Sequence, residues 1–232
     1  MGFILSLLIL GLGILLLFIP KSITYKLTYI LSIFLLMYKL VEYTLYGLNF
    51  DITKIPVEYS TITYFLFSVT VIFQMNKLKP LAAFMGFLSG FSYLIAFMFL
   101  SQNYYAHNGV FITNMALINH SLVFLGGLML MRDEKFHLLD KKKILFFTTI
   151  YIIYVLLVSR YVTFTQSYIF ILILLGGDLL KILTSSAYPS SYDYLMYFLI
   201  LLLLYQVVIH LFIGLNHLLN KIRLGESHEH TI

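Results

Sequence analysis

Apolar runs of nearly membrane-spanning length recur along almost the whole chain and constrain its fold more than any motif does. A helix needs about 20 mostly apolar residues to cross the hydrocarbon core of a bilayer. The chain offers seven such candidates, at 3–19, 27–48, 57–75, 80–100, 110–131, 144–159 and 194–218. In lipid, an α-helix satisfies its backbone hydrogen bonds within one segment. The sequence therefore predicts an all-α, polytopic membrane helix bundle of about seven transmembrane spans.

Composition argues against a soluble protein. The 232 residues are 61% hydrophobic and 11% charged, whereas an average soluble domain is about 25% charged. The length predicts one transmembrane bundle over 1–220, followed by a polar tail at 221–232. The chain has no cysteine, which excludes disulfides, thiolate nucleophiles and cysteine metal sites.

Two segments need a separate interpretation. The first apolar run lacks the basic start and the small-residue cleavage site of a signal peptide, and we interpret it as the first span. The stretch 168–183 is interrupted by Gly176, Gly177, Asp178 and Lys181. It is short and polar for a span, so we expect a re-entrant or interfacial helix there.

Basic residues indicate the orientation, because Lys and Arg accumulate in cytoplasmic loops. With seven spans, three basic residues fall on one side: Lys54, Arg160 and Lys181. The other side receives Lys21, Lys26, Lys77, Lys79, Arg132, Lys135, Lys141, Lys142, Lys143, Lys221 and Arg223. This bias predicts a multi-pass protein of the bacterial plasma membrane, with its N-terminus outside and its C-terminus and polar tail in the cytoplasm.

Polar residues within the predicted spans are candidates for function, because they are costly in a bilayer. Most of them fall in the outer half of the bundle or near its midplane. They are Glu42, Glu58, Ser60, Thr61, Thr63, Asn114, Asn119, His120 and Asp193. This distribution predicts a polar cavity that opens towards the outer leaflet.

His120 is the strongest single candidate. It lies ten residues beyond Val110, at a depth of about 15 Å. Neutral imidazole is a natural general base near neutral pH, although a structural histidine is the alternative. Lys39 and Glu42 lie three residues apart on one helix face and are expected to neutralise each other.

Other small and polar residues have a structural interpretation. Serines and threonines in membrane helices usually hydrogen-bond to their own backbone. Gly86 and Gly90 form a G-x-x-x-G pattern, which is typical of a close helix contact.

Two motifs resemble those of a known family. Residues 55–66, Ile-Pro-Val-Glu-Tyr-Ser-Thr-Ile-Thr-Tyr-Phe-Leu, resemble the L-P-L-x-L-C-S-I-T-L-Y-L motif of the YwaF / transmembrane protein 164 family. Residues 117–122, Leu-Ile-Asn-His-Ser-Leu, resemble the histidine-bearing helix of that family. Tyr188-Pro189 before the last apolar run resembles its Y-P-W-Y. The family also resembles the androgen-induced-protein hydrolases of fatty-acid esters.

The resemblance implies a seven-helix bundle that catalyses acyl transfer on lipids. The motif cysteine falls on Ser60 and the histidine on His120, which implies a Ser60 nucleophile with a His120 base. Thr63, one turn deeper on the same helix face, is the second candidate nucleophile. No cofactor and no metal are expected.

The residues leave two main hypotheses open. In the first, the chain is a lipid acyltransferase or acyl-ester hydrolase, whose nucleophile gives its proton to His120. Thr61, Asn114 or Asn119 would stabilise the oxyanion, and Glu58 or Glu42 would orient the imidazole. In the second, the cavity binds or carries a lipid or small solute without catalysis, gated by Glu42, Glu58, Arg160 and Asp193. Membrane lipids are the expected partners in the first hypothesis. Neither hypothesis involves nucleic acid.

Overall fold

The computed structural model describes residues 2–161 and 190–229. Within them the chain is helical, with one short 3-10 turn and no strand. The helices are α1 (Gly2–Leu16), α2 (Lys21–Leu48), α3 (Tyr59–Ile72), α4 (Lys79–Asp133), α5 (Leu138–Ser159) and α6 (Ser191–Glu229), and the 3-10 turn is Ile52–Lys54. The predicted all-α class is confirmed. The predicted re-entrant segment, 168–183, lies outside the described residues.

Among the described residues, three helices are long and apolar enough to cross a membrane. They are α2, α4 and the part of α6 from Tyr192 to Asn220. The apolar helices α1 and α3 are shorter, with 15 and 14 residues. Large apolar side chains cover the outside of the helices, such as Leu203 at 67% exposure and Phe111 at 76%. These features indicate a membrane protein.

Helix α4 consists of two helical segments that fold back on each other at Gly109. This glycine alone leaves the helical conformation, with φ 74° and ψ 172°, a combination that favours glycine. The Thr113 hydroxyl donates to the Tyr104 carbonyl at 3.0 Å, across the turn. The two segments, 79–108 and 110–133, are hereafter the first and second halves of α4. Their positions match the predicted runs 80–100 and 110–131, although the helix continues to residue 108.

Glycines allow the two halves of α4 to approach closely. A Cβ atom on Gly86 would lie 2.9 Å from the Val123 carbonyl oxygen, and one on Gly90 would lie 2.5 Å from that of His120. A Cβ atom on Gly127 would likewise lie too close to the backbone of Gly86. The close contact expected from G-x-x-x-G is confirmed, and its partner is the second half of the same α4.

Helix α3 is the inner helix of the bundle and packs against both α2 and α4. It begins at Tyr59 rather than at 57, and at about 1.5 Å per residue it is shorter than the hydrocarbon core. The loop before it is held by α5, where the Tyr151 hydroxyl donates to the Val57 carbonyl at 2.9 Å. This arrangement places the start of α3, with Glu58 and Ser60, inside the bundle.

Arg132 ties the C-terminal end of α1 to the end of α4. Its guanidinium is buried and donates to the carbonyls of Leu16, the last residue of α1, and of Leu17 and Ile19 just beyond it, the first two at 3.0 Å. It also pairs with Asp133 at 2.8 Å. The last carbonyls of a helix lack partners within it, so Arg132 satisfies groups that would otherwise be unpaired.

Asn216 joins α6 to the same end of the bundle. Its side-chain amide donates to the Met131 and Glu134 carbonyls and accepts from the Phe136 backbone N–H. Helix α6 does not end at the predicted residue 218 but continues into the polar tail as far as Glu229.

The glycine contact gives a test of the fold. We expect Gly90→Ala to lower stability by about 1–3 kcal/mol, because its methyl group would collide with the backbone of His120. Gly214→Ala is the matched control, since a Cβ there meets nothing within 4 Å. Alanine also favours a helix over glycine by up to about 1 kcal/mol, so the control should melt at the same or a higher temperature. Thermal unfolding in detergent measures the melting temperatures of both variants. Equal melting temperatures for Gly90→Ala and Gly214→Ala would contradict the close contact.

Candidate functional site

A buried ion pair lies in the middle of the apolar helix α2. Lys39 Nζ contacts Glu42 Oε2 at 2.5 Å, and the two side chains are 9% and 23% exposed. The ammonium also lies 4.9 Å from the centre of the Tyr64 ring on α3. The expected neutralisation of Lys39 by Glu42 is confirmed. The pair faces the interior of the bundle, where α3 covers it.

His120 lies in a slot between aromatic rings. Its imidazole stacks on Tyr93, with ring centres 3.9 Å apart and planes 2° apart, and the edge of Tyr64 covers it at 5.6 Å. Tyr93 comes from the first half of α4 and Tyr64 from α3. The imidazole interacts with the Ser89 backbone, and its Nδ1 has no hydrogen-bond partner among the described residues.

The hydroxyl groups at the start of α3 have different partners. Ser60 Oγ donates to Glu58 Oε2 at 3.2 Å. Thr63 is fully buried, and its hydroxyl donates to the Tyr59 carbonyl at 2.7 Å, as expected for a threonine bonded to its own helix. Thr61 accepts from the Tyr43 hydroxyl at 3.4 Å. Ser60 is therefore the hydroxyl of this group that is bonded to a carboxylate.

Tyr64 links the predicted nucleophile to the predicted base. Its hydroxyl lies close enough to interact with Ser60, while the edge of its ring contacts His120. Among the described residues, neither Ser60 nor Thr63 donates directly to the imidazole. A nucleophile activated by histidine needs such a bond, at about 2.6–3.2 Å. The described structure therefore shows Tyr64, and not a direct hydrogen bond, between the environments of Ser60 and His120.

Two predicted supporting residues, Asn119 and Asn114, and the predicted gate residue Asp193 lie in three separate places. Asn119 is buried and hydrogen-bonds to Tyr38 beside the ion pair, and its Oδ1 has no partner among the described residues. Asn114 accepts from the Tyr105 hydroxyl at 2.8 Å, near the Gly109 turn. Asp193 pairs with Ser190 at the start of α6. Of these three, Asn119 is the one that lies next to the polar centre.

The aromatic neighbours of His120 were not predicted from the sequence. Tyr64 and Tyr93 form its slot, and Tyr38 contacts both Asn119 and the Lys39 ammonium. All three belong to apolar runs in which aromatic residues are common, so no local pattern distinguishes them. The signal available in the sequence was the position of Tyr38 next to Lys39.

The site contains no evident metal-binding group. In residues 2–161 and 190–229, no three His, Asp or Glu side chains are grouped closely enough to hold a metal ion. The polar centre consists of Lys39, Glu42, Glu58, Ser60, Tyr64 and His120, from α2, α3, the residue before α3 and the second half of α4. Such a set can bind charged and hydrogen-bonding groups of a ligand.

Comparisons of the chain with protein-family models, curated proteins and solved structures gave no match. The resemblance to the YwaF / transmembrane protein 164 family therefore stays a prediction from its motifs.

Proposed function

We propose that the chain is a multi-pass membrane protein that binds a membrane lipid or a small amphipathic solute at this polar centre. The buried Lys39–Glu42 pair is the observation that carries the proposal. Ionisable groups within a membrane helix are costly and mark substrate or ion pathways by default. A pair needed only for helix packing is more easily replaced by apolar residues, because buried ion pairs add little net stability.

The neighbours of the pair support a ligand rather than a closed structural contact. Glu58 adds a second carboxylate next to Ser60, so the centre has two acids and one lysine. His120 Nδ1 and Asn119 Oδ1 have no hydrogen-bond partner within residues 2–161 and 190–229, and the amide oxygen and an unprotonated Nδ1 can each accept a hydrogen bond. Buried polar atoms almost always have partners in folded proteins. A ligand with hydroxyl or amine groups would supply them.

We further propose seven spans, with the N-terminus outside and the C-terminus in the bacterial cytoplasm. The bias of Lys and Arg along the sequence supports this orientation. The break at Gly109 supports counting α4 as two spans, because its 55 residues are far longer than the roughly 20 that cross a bilayer. The centre would then lie in the outer half of the membrane, accessible from the outer leaflet.

Acyl transfer is the second candidate, favoured by the contact between Ser60 and Glu58. Ser60 Oγ would attack an acyl ester carbon and give its proton to Glu58, or to His120 once the two come within hydrogen-bonding distance. The alcohol of the ester would leave with a proton from the same base. Water or a second lipid alcohol would then take the acyl group. The family resemblance points to the same chemistry.

The ion pair gives the test of binding. We expect the double variant Lys39→Met/Glu42→Gln to retain about tenfold less bound lipid or solute than the natural chain. The reason is that charge-assisted hydrogen bonds are each worth about 1.5–3 kcal/mol. Native mass spectrometry and extraction of the purified protein measure the bound molecule.

The matched control is Lys79→Met/Glu134→Gln, which removes a partly exposed ion pair away from the polar centre. This control should retain the ligand and the thermal stability of the natural chain. Equal ligand content in both double variants would mean that the Lys39–Glu42 pair has only a structural role.

Acyl transfer predicts a large difference between two hydroxyl variants. Ser60→Ala should lower turnover of an acyl ester by about a thousandfold or more, because the covalent route is lost. Thr63→Val should lower it far less, because the Thr63 hydroxyl donates to its own helix. Product analysis by mass spectrometry and labelling of Ser60 with a serine-directed probe provide the measurements. Turnover that survives in Ser60→Ala excludes Ser60 as the nucleophile.

The orientation can be tested with single cysteines, because the chain has none of its own. A cysteine at the exposed position Asn108 should react with an impermeant thiol reagent added to intact cells, whereas one at the exposed position Lys142 should react only after lysis. Labelling of position 142 from outside would reverse the orientation and place the polar centre near the inner leaflet.

A further inference from the structure

A shallow recess of about 300 Å³ opens at the C-terminal end of α2, between this helix and the loop that leads to α3. Its lining includes Tyr43, Tyr46, Phe50, Asp51 and Lys54. The recess contains neither Ser60 nor His120, the residues predicted for catalysis. It adjoins the polar centre through Tyr46, whose hydroxyl donates to Glu42 Oε1 at 3.4 Å.

Two tyrosine rings form a corner of this recess. The rings of Tyr43 and Tyr46 are perpendicular, with an interplanar angle of 87° and centres 5.6 Å apart. Phe50 adds a third ring, which is 88% exposed and belongs to a residue with φ 52°. A left-handed backbone is unusual for a bulky residue, and such strain is common at ligand-binding loops. Perpendicular aromatic faces are the arrangement that surrounds quaternary ammonium groups in proteins.

Two carboxylates lie at or next to the recess. Asp51 lies in its lining, and Glu42 accepts the hydrogen bond from Tyr46. The Tyr46 ring already attracts a cation of the protein itself, because Lys54 Nζ lies 5.9 Å from its centre. Lys54 therefore occupies the position that a ligand ammonium would take, and it acts as an internal competitor.

We propose that this recess binds an alkylammonium group, either of a free solute or of a lipid headgroup. The inference rests on the proposed binding function and supplies the chemical class of its ligand. The ammonium would lie against the faces of Tyr43 and Tyr46, with Asp51 balancing its charge and Lys54 displaced towards solvent. The rest of an amphipathic ligand would extend towards the polar centre.

The test compares choline with its uncharged carbon isostere, 3,3-dimethyl-1-butanol, on the full chain in a nonionic detergent. Isothermal titration calorimetry should detect binding of choline but not of the isostere, because the ring faces attract a positive charge, which the isostere lacks. Tyr46→Leu should weaken choline binding about fivefold or more, whereas Tyr46→Phe, which keeps the ring face, should retain it. Tyr192→Leu removes an exposed tyrosine of α6 and is the control for effects of losing any exposed tyrosine.

The variant Lys54→Met should change the affinity for choline in the opposite direction to Tyr46→Leu. Removing the internal competitor should strengthen choline binding severalfold, whereas it would weaken an anionic ligand. Lipid nanodiscs distinguish the two sources of the ammonium group. If phosphatidylcholine displaces choline and phosphatidylglycerol does not, the ligand is a lipid headgroup, and if neither does, it is a free solute.

Equal binding of choline and the isostere, absence of choline binding, or weaker binding by Lys54→Met would each overturn the inference. The proposed binding function is tested separately through Lys39→Met/Glu42→Gln. If that variant loses its co-purified ligand while choline fails to bind, the polar centre keeps its function and only the alkylammonium assignment is wrong.

Discussion

The close contact between the two halves of α4 positions the candidate site. Lipid tails are as apolar as leucine, so helices in a membrane associate through close packing and hydrogen bonds rather than through the hydrophobic effect. Here glycines provide that packing, and Gly90 lies directly against the backbone of His120. The contact also brings Ser89 and Tyr93 from the first half of α4 to the His120 ring. Any side chain at position 90 would therefore disturb the packing and the site together.

The polar groups of the bundle divide into a satisfied set and an unsatisfied one. Arg132 donates to three carbonyls at and just beyond the end of α1 and pairs with Asp133, and Asn216 uses both ends of its amide. Such complete pairing is expected of groups that hold helices together, because an unpaired polar group in lipid costs several kcal/mol. His120 Nδ1 and Asn119 Oδ1 lack that pairing in the described part of the chain. Ser68 Oγ and Thr70 Oγ1, further along α3, also lack a partner there, so what distinguishes the polar centre is the Lys39–Glu42 pair near His120 and Asn119.

Much of the fold could be predicted from hydropathy, because the length of an apolar run and the spacing of residues within it are local properties of the sequence. The helices, the Lys39–Glu42 pair and the close contact of Gly86 all follow from spacing along one segment. Contacts between helices depend on how each helix is rotated about its axis, and hydropathy does not report this rotation. The pairing of Ser60 with His120 was predicted from a motif, whereas depth along the helices favoured Thr63 as the partner of His120. Neither argument could reveal that the Tyr64 ring contacts one residue while its hydroxyl contacts the other.

The protonation of His120 connects binding and acyl transfer. The His120 ring interacts with the Ser89 backbone, and its Nδ1 has no hydrogen-bond partner among the described residues. An unprotonated Nδ1 carries a lone pair. A lone pair without a partner in a buried slot is ready to accept a proton or a hydrogen bond. In a binding protein, a ligand hydroxyl or amine would donate to it, with Tyr93 and Tyr64 keeping the ring in place. In an acyl-transfer enzyme, the same lone pair would receive the proton of Ser60. When His120 is the base, both functions use the same imidazole, and acyl transfer also requires Ser60 to come within hydrogen-bonding distance of it.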